Sequence, residues 1–336
     1  MRSIIFHHND RDGIVSAAIM ILWLKTKSGV INDAIKSVDV DYRIPLADKV
    51  DDIDQYDRII LVDYSISTPE NAKWILDLID QGKDVIWIDH HESSIKMYEE
   101  YPMLKNLIGY RVNGIAGCGL SWIWYKTEGN ISPDILKPYL DGEVSKDKAC
   151  EILTNCDVPQ TVLYSHKYDI WDTNLAVIDF SRGFNPSTPI DPELYSAIQY
   201  PKYDKIVMER AFREGRIVSK AFDQYNQSVA DGIGFELDVV DNLGDDPAIY
   251  KAFAMNRPFA NSLAFGDKVN QYDILIPFYY NGDGYTYSMY TTRNDLNMAT
   301  YCKAMGGGGH QQAAGFTNDK LIISKGSVLT INKKKD

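Results

Sequence analysis

Near the start of the chain, three short apolar runs each end in residues that bind metals. Ser3-Ile4-Ile5-Phe6 leads into His7-His8-Asn9-Asp10-Arg11-Asp12-Gly13, Ile59-Ile60-Leu61-Val62 leads into Asp63, and Val85-Ile86-Trp87-Ile88 leads into Asp89-His90-His91. Apolar runs of this length, separated by helical patterns, read as strands buried on both faces, the signature of a parallel sheet covered by crossover helices. In such sheets ligands bind beyond the carboxyl ends of the strands. Residues distant in sequence then reach one cleft. Of the six histidines in the chain, His7, His8, His90 and His91 stand in these runs, and His310 follows the glycine run 306–309. Histidines spread for packing do not collect this way.

The order of elements extends the reading. Strands are predicted over Ser3–His7, Val38–Arg43, Ile59–Asp63 and Asp84–Asp89, and helices over Gly13–Lys25 and Pro69–Gln81, the second with Thr68 as its N-cap. Ile14 to Leu24 is the longest apolar stretch. It is about half of the ~20 residues a spanning helix needs, so it reads as a buried core helix and not a membrane segment. Leu120–Lys126 and Ala149–Cys156 read as further helices, with Asp169-Ile170-Trp171-Asp172 in a less regular stretch. From Tyr203 to Val229 apolar residues recur at helical spacing, which predicts one long helix, interrupted near Gly215, linking two domains. Gly234 to Ile331 mixes strands and helices, with Asn281-Gly282-Asp283-Gly284 as a hairpin turn. A chain of 336 residues has room for two domains. The expected division is 1–200, a parallel-sheet domain; 201–233, a helical linker; and 234–336, a smaller α/β domain.

The formal net charge of −12 argues against a protein that grips long duplexes through phosphate contacts, which need a dense Lys/Arg surface. Small phosphorylated substrates remain compatible with it, and bound metal ions offset local carboxylates. Cys118, Cys150, Cys156 and Cys302 form no C-x-x-C pair. The expectation is a reduced, cytoplasmic protein without a secretory signal.

His8, Asp10 and Asp12 recur at every second position, so on an extended segment they point the same way. Imidazole with carboxylates suits Mn²⁺, Fe²⁺ or Zn²⁺, and the oxygen-rich balance favours Mn²⁺. Gly13 lets the chain turn into the following helix, whose N-terminus favours anions. Taken alone, the run also fits an Asx-rich strand-to-helix turn. A calcium loop of the EF-hand type fails, since His8 stands at its first position and Ile19 at its twelfth. Asp63 gains weight only from its matching place at a strand end. Asp89-His90-His91, three polar residues after four apolar ones, is costly unless paired or metal-bound. Alternation turns Asp89 and His91 one way and His90 the other. Asp169 has a partly apolar context, with Asp172 as its rival, and His166 reads as a surface histidine. The glycines before His310 let backbone N–H groups approach a phosphate.

Together these runs resemble the DHH phosphoesterase superfamily, in its DHHA1-containing branch. His8-Asn9-Asp10-Arg11-Asp12-Gly13 is similar to the family's first motif, H-x-D-x-D-G, and Asp63 to its second. Asp89-His90-His91 resembles the naming motif and Asp169 the fourth-motif aspartate. Gly307-Gly308-Gly309-His310 with Ala313-Ala314-Gly315 resembles the phosphate-binding motif of the second domain, and Arg293 a substrate-binding arginine. Five motifs in this order span nearly the whole chain.

The resemblance implies two domains with a cleft between them and two divalent ions, usually Mn²⁺, with Mg²⁺ or Co²⁺ as substitutes. His8, Asp10 and Asp63 would hold one ion; Asp12, Asp63, His90 and Asp169 the other. Asp89 would orient its neighbours, and His91 would contact the scissile phosphate. Arg293, Gly307, Gly308, Gly309 and His310 would hold the rest of the substrate. The implied activity is a phosphodiesterase or exonuclease acting on very short oligonucleotides, resembling the oligoribonucleases that degrade nano-RNA. A cyclic-dinucleotide phosphodiesterase, a phosphatase of 3′-phosphoadenosine 5′-phosphate and a non-catalytic nucleotide sensor are the alternatives. Partners are then short oligonucleotides or dinucleotides, with no long duplex and no membrane; a homodimer is left open.

Overall fold

A computed structural model describes residues 1–26, 34–131, 133–244, 246–309 and 311–333. The first unit, Met1–Ser219, begins with β1 (Ser3–His8), α1 (Arg11–Thr26), β2 (Ile35–Val40), β3 (Arg58–Val62), α2 (Pro69–Asp80), β4 (Asp84–Ile88) and α3 (Glu92–Lys96). It continues with β5 (Val112–Asn113), α4 (Gly117–Lys126), β6 (Gly142–Glu143), α5 (Lys146–Asn155), α6 (Gln160–Asp169), α7 (Leu175–Gly183) and α8 (Pro192–Gln199). The helix α9 (Pro201–Ile233) runs on into the second unit, Lys220–Asp336.

Strands β2, β1, β3 and β4 form a parallel sheet in that order. Side chains alternate across it. Ile5, Ile60, Val62, Ile86 and Ile88 pack into one core with α1 and α4, while Ile4, Phe6, Ile59, Leu61, Val85 and Trp87 pack into another with Ala72, Ile75 and Leu78 of α2. Both faces are dry, which is why the strands read as unbroken apolar runs. α1 is buried from Asp12 to Leu24. Thr68 caps α2 by accepting the Asn71 N–H, as its sequence predicts. In register, His7 lies opposite Val62, and Val62 opposite Ile88. His8, Asp63 and Asp89 therefore leave the sheet at one level. The order reverses between β1 and β3, the switch point where such sheets open a crevice.

Three expectations are corrected. β2 covers Ile35–Val40 and not Val38–Arg43; it is an edge strand, largely half-buried, so no dry face marks its start in the sequence. Asp169 does not stand in an irregular stretch, because α6 is a regular helix that ends on Asp169 itself. Ile170, Trp171 and Asp172 form the turn that follows. Nor is α9 interrupted at Gly215. A Cβ there would run into the backbone carbonyl of Asp179 on α7, so the glycine permits a close helix crossing instead of a break.

The second unit carries β7 (Phe235–Asn242), β8 (Ala248–Asn256), β9 (Ile274–Tyr280), β10 (Tyr285–Tyr290), α10 (Met298–Ala304), β11 (Gly308–Gly309), β12 (Ala313–Asn318) and β13 (Val328–Asn332). They make one mixed sheet, β11-β12-β10-β9-β8-β7-β13. Leu237, Val239, Ile276, Tyr287 and Met289 of this sheet share a core with Tyr301 and Cys302 of α10. The predicted hairpin joins β9 to β10, with Asn281 Oδ1 accepting the N–H groups of Asp283 and Gly284. All four cysteines are free thiols. Among the described residues no helix is long and apolar enough to cross a membrane.

Candidate metal centre

The carboxyl ends of β1, β3 and β4 bring the ligand-type residues of the first unit together. Three groups have ligand atoms within 4.8 Å of one another: His8, Asp10 and Asp63; Asp12, His90 and Asp169; and Asp63, His90 and His91. His8 ends β1, and its Nδ1 lies 2.7 Å from Asp10 Oδ2. The other Asp10 oxygen accepts the Gly13 N–H at 2.9 Å. Gly13 packs on the backbone of His8, where a Cβ would meet the carbonyl. Asp12 departs from the expected extended spacing: it lies in the first turn of α1 and faces a different group from His8 and Asp10.

Asp63 follows β3 in the left-handed backbone region, with φ of +52°, a conformation that costs energy and clusters at functional sites. It is 1% exposed. Its Oδ1 lies 3.2 Å from His90 Nε2, and its Oδ2 is buried with no hydrogen-bond partner among the described residues. His90 Nε2 also stands 3.4 Å from Asp169 Oδ2 and 3.7 Å from Asp12 Oδ2. Burial, then the charges of Asp12, Asp10 and Asp169, push the Asp63 carboxyl well above its usual range; burial and the charges of Asp12 and Asp10 do the same to Asp169. So many buried carboxylates need cations beside them. An unpartnered carboxylate oxygen in their midst, with imidazoles alongside, fits divalent metal.

His91 does not turn away from His90 as alternation predicts: the two ring centroids lie 4.5 Å apart and both place ligand atoms beside Asp63, because β4 ends at Ile88 and the strand period lapses there. The His91 Nδ1 is 2.7 Å from Asp89 Oδ1. Burial works against its cation, but the Asp89 hydrogen bond and charge prevail and raise it to about 9. Asp89 is fully buried, and its other oxygen accepts the Ser94 hydroxyl, which also reaches Ser65. His8 is raised by its bond to Asp10. Burial alone would raise Asp10, but its bonds to His8 and Gly13 outweigh that and lower it to about 2.

Some contributors escape a reading of motifs. Tyr42 stacks on Tyr64 with ring centroids 5.0 Å apart, and its ring lies 5.6 Å from that of His8 and 6.5 Å from that of His91. Its hydroxyl accepts the Ser65 N–H, yet the residue is 43% exposed. The N-terminus of α4 also belongs to the site: the N–H groups of Gly117 and Cys118 donate to Asp12 Oδ2 and Oδ1 at 2.7 and 2.8 Å. His166, expected at the surface, is fully buried and accepts the Ala116 N–H at Nδ1. Its neighbours in sequence, Ser165 and Lys167, gave no apolar cue to burial, so only helix packing reveals it.

The remaining candidates lie on the second unit. Gly308 and Gly309 form β11, an edge strand paired with β12, and the run from Gly306 to Gly309 is exposed. His310 lies outside the described residues. Arg293 is held by two carboxylates, Asp273 at 2.7 Å and Asp295 at 2.6 Å, and lies over the Tyr250 ring.

Residues 2–142 match the DHH family, N-terminal domain. The match covers less than half of the chain and is to the N-terminal domain of that family. Proteins of the DHH family are metal-dependent phosphoesterases, and the ligand groups of this chain are compatible with that chemistry. No curated protein matches the sequence. Similar solved structures include an uncharacterized protein from Helicobacter pylori G27, at 15% identity and a TM-score of 0.35, covering 96% of this chain and 95% of that one. RecJ from Thermus thermophilus, in complex with Mg²⁺, is 12% identical with a TM-score of 0.39, over 95% of this chain and 47% of RecJ, so this chain spans about half of RecJ's length. The pGpG-specific phosphodiesterase PggH from Vibrio cholerae is 10% identical with a TM-score of 0.37, over 95% of this chain and 94% of PggH.

Proposed function

We propose that this protein is a Mn²⁺-dependent phosphodiesterase that releases mononucleotides from very short oligonucleotides, dinucleotides included. The observation that carries the reading is Asp63, a buried carboxylate shared between the His8–Asp10 group and, through His90, the Asp12–Asp169 group. In this reading His8, Asp10 and Asp63 hold one ion, and Asp12, Asp63, His90 and Asp169 the other. Two ions so held would clamp phosphoryl oxygens and lower the pKa of an attacking water. His91 has Nδ1 engaged by Asp89, which leaves Nε2 to meet a phosphoryl oxygen as a cationic donor. Asp89 fixes the orientation of that ring.

Tyr42 supports a substrate that carries a base. An aromatic ring beside His8 and His91 gives a nucleobase a surface to stack on, which an inorganic polyphosphate would not use. The net charge of −12 favours small substrates over long ones. On the second unit we assign Gly307, Gly308, Gly309 and His310 to anion binding. Arg293 joins them only where a phosphate displaces Asp273 or Asp295.

The test is a product time course with purified protein and Mn²⁺ on a 5′-phosphorylated dinucleotide, a cyclic dinucleotide and 3′-phosphoadenosine 5′-phosphate. Rapid mononucleotide release from the linear dinucleotide is expected. Preference for either other substrate would move the specificity within the same chemistry. No turnover with Mn²⁺ bound would overturn the catalytic reading in favour of a nucleotide sensor.

A further inference from the structure

α4 begins without a side chain of its own to satisfy its first N–H groups, because its N-cap is Ala116. Those donors are met from elsewhere in the fold. Gly117 and Cys118 donate to the two oxygens of Asp12, and Ala116 donates to His166 Nδ1 at 3.1 Å. Three consecutive N–H groups are thus tied down, two by a metal-ligand candidate and one by a buried imidazole. Only glycine fits at position 117, since a Cβ would lie 2.7 Å from Asp63 Cβ and 3.0 Å from Asp12 Oδ2. His166 stands one turn before Asp169 on α6. A second link between the same helices runs from Cys118 Sγ to the Val162 carbonyl at 3.7 Å.

The His166 ring is held in one tautomer. Nδ1 accepts, so the proton of the neutral ring is on Nε2, and Nε2 is buried with no hydrogen-bond partner among the described residues. A buried donor left unmade carries its full desolvation cost. Apolar packing alone would not require it.

We propose that His166 is a positioning residue for the metal centre: it docks the N-terminus of α4 onto α6, so that Asp12 and Asp169 are held at one spacing around His90. The proposal rests on the two-ion reading above. His166 itself touches neither ion nor substrate. It acts through the Ala116 N–H, and any side chain that offers an acceptor where Nδ1 stands should do the same work. Asparagine does so with Oδ1; leucine does not.

The experiment is Mn²⁺ titration of the full-length protein, followed by electron paramagnetic resonance, for wild type, His166→Asn and His166→Leu. Partners behind metal ligands typically alter affinity by roughly 10–100-fold. His166→Leu should weaken one of the two Mn²⁺ ions by that factor and leave the other near wild type, and His166→Asn should restore it. Wild-type affinity for both ions in His166→Leu would overturn the proposal, as would equal loss in both folded variants. Wild type that binds no Mn²⁺ pair would overturn the two-ion reading instead. Should His166→Leu fail to fold, nitrogen NMR of the wild-type ring decides: scalar coupling from the Ala116 N–H to Nδ1 supports the tether, and its absence overturns it.

Discussion

Asp63 Oδ1 lies 3.2 Å from His90 Nε2, while Asp63 Oδ2 is buried without a hydrogen-bond partner among the described residues. One carboxylate thus has one oxygen engaged and one unmet, close to the charges of Asp10, Asp12 and Asp169. A lone buried oxygen is costly in a protein without a cation there. In the two-ion reading that cost becomes ligand geometry.

Replacing Asp63 by Asn should remove turnover and Mn²⁺-dependent stabilisation together. A ligand present at about 100 times its Kd stabilises a fold by about 2.7 kcal/mol. Wild type should therefore gain melting temperature on adding Mn²⁺ and lose it again with a chelator, whereas Asp63→Asn should not respond. Differential scanning fluorimetry reads both. Retained activity in this variant would remove the shared-ligand role.

Gly117→Ala should damage the centre without replacing a ligand. The added methyl would press on Asp63 Cβ and Asp12 Oδ2, and overpacking of this kind typically costs about 1–3 kcal/mol. The expected result is weaker Mn²⁺ binding with a lowered midpoint of urea unfolding. Unchanged binding would show that α4 can shift freely.

His166 should make stability fall in acid. Its burial, with the charges of His90 and Lys167, lowers its pKa to about 3 from the ordinary 6.5. Between these values the unfolded chain binds a proton that the folded one refuses. Stability is then full above pH 6.5 and is lost as the pH falls toward 3, at about 1.4 kcal/mol per pH unit for one group. Asp172 opposes the shift in part. Urea unfolding at about pH 7.5 and about pH 5, on either side of the ordinary histidine value, should show a steeper loss for wild type than for His166→Asn. Parallel losses would mean that the ring is protonated in the fold.

Gly215→Ala should destabilise the first unit while leaving Mn²⁺ affinity in the folded fraction near wild type. The methyl would collide with the Asp179 carbonyl where α7 crosses α9. Ordinary helix propensity predicts the opposite, since alanine is favoured over glycine by roughly 1 kcal/mol in a helix interior. A lowered melting temperature supports the close crossing; a raised one excludes it.

Much of the first unit was legible in the chain itself. The runs ending at Phe6, Val62 and Ile88 were buried on both faces, so their apolar character had no alternation to blur it, and the residues after them had to leave the sheet at its carboxyl edge. The two-residue period put His90 and His91 on opposite sides, but it lapses where β4 ends at Ile88, and their ring centroids lie 4.5 Å apart. The edge strand β2 was placed too late because half-buried residues leave a weak pattern, and its partners and not its propensity set where it begins.

The parallel sheet, the helix that follows His8 and the set of side chains able to bind metal can all be read from the order of residues. The folded chain alone reveals how those side chains divide into groups, that Asp12 caps a helix whose first residue lies 105 positions further on, that His166 is buried, and that Gly215 packs against Asp179 and leaves the helix unbroken. Periodicity reports which face of an element is dry, a local property. Which polar group meets which depends on contacts between elements, and these exist only once the chain has closed on itself.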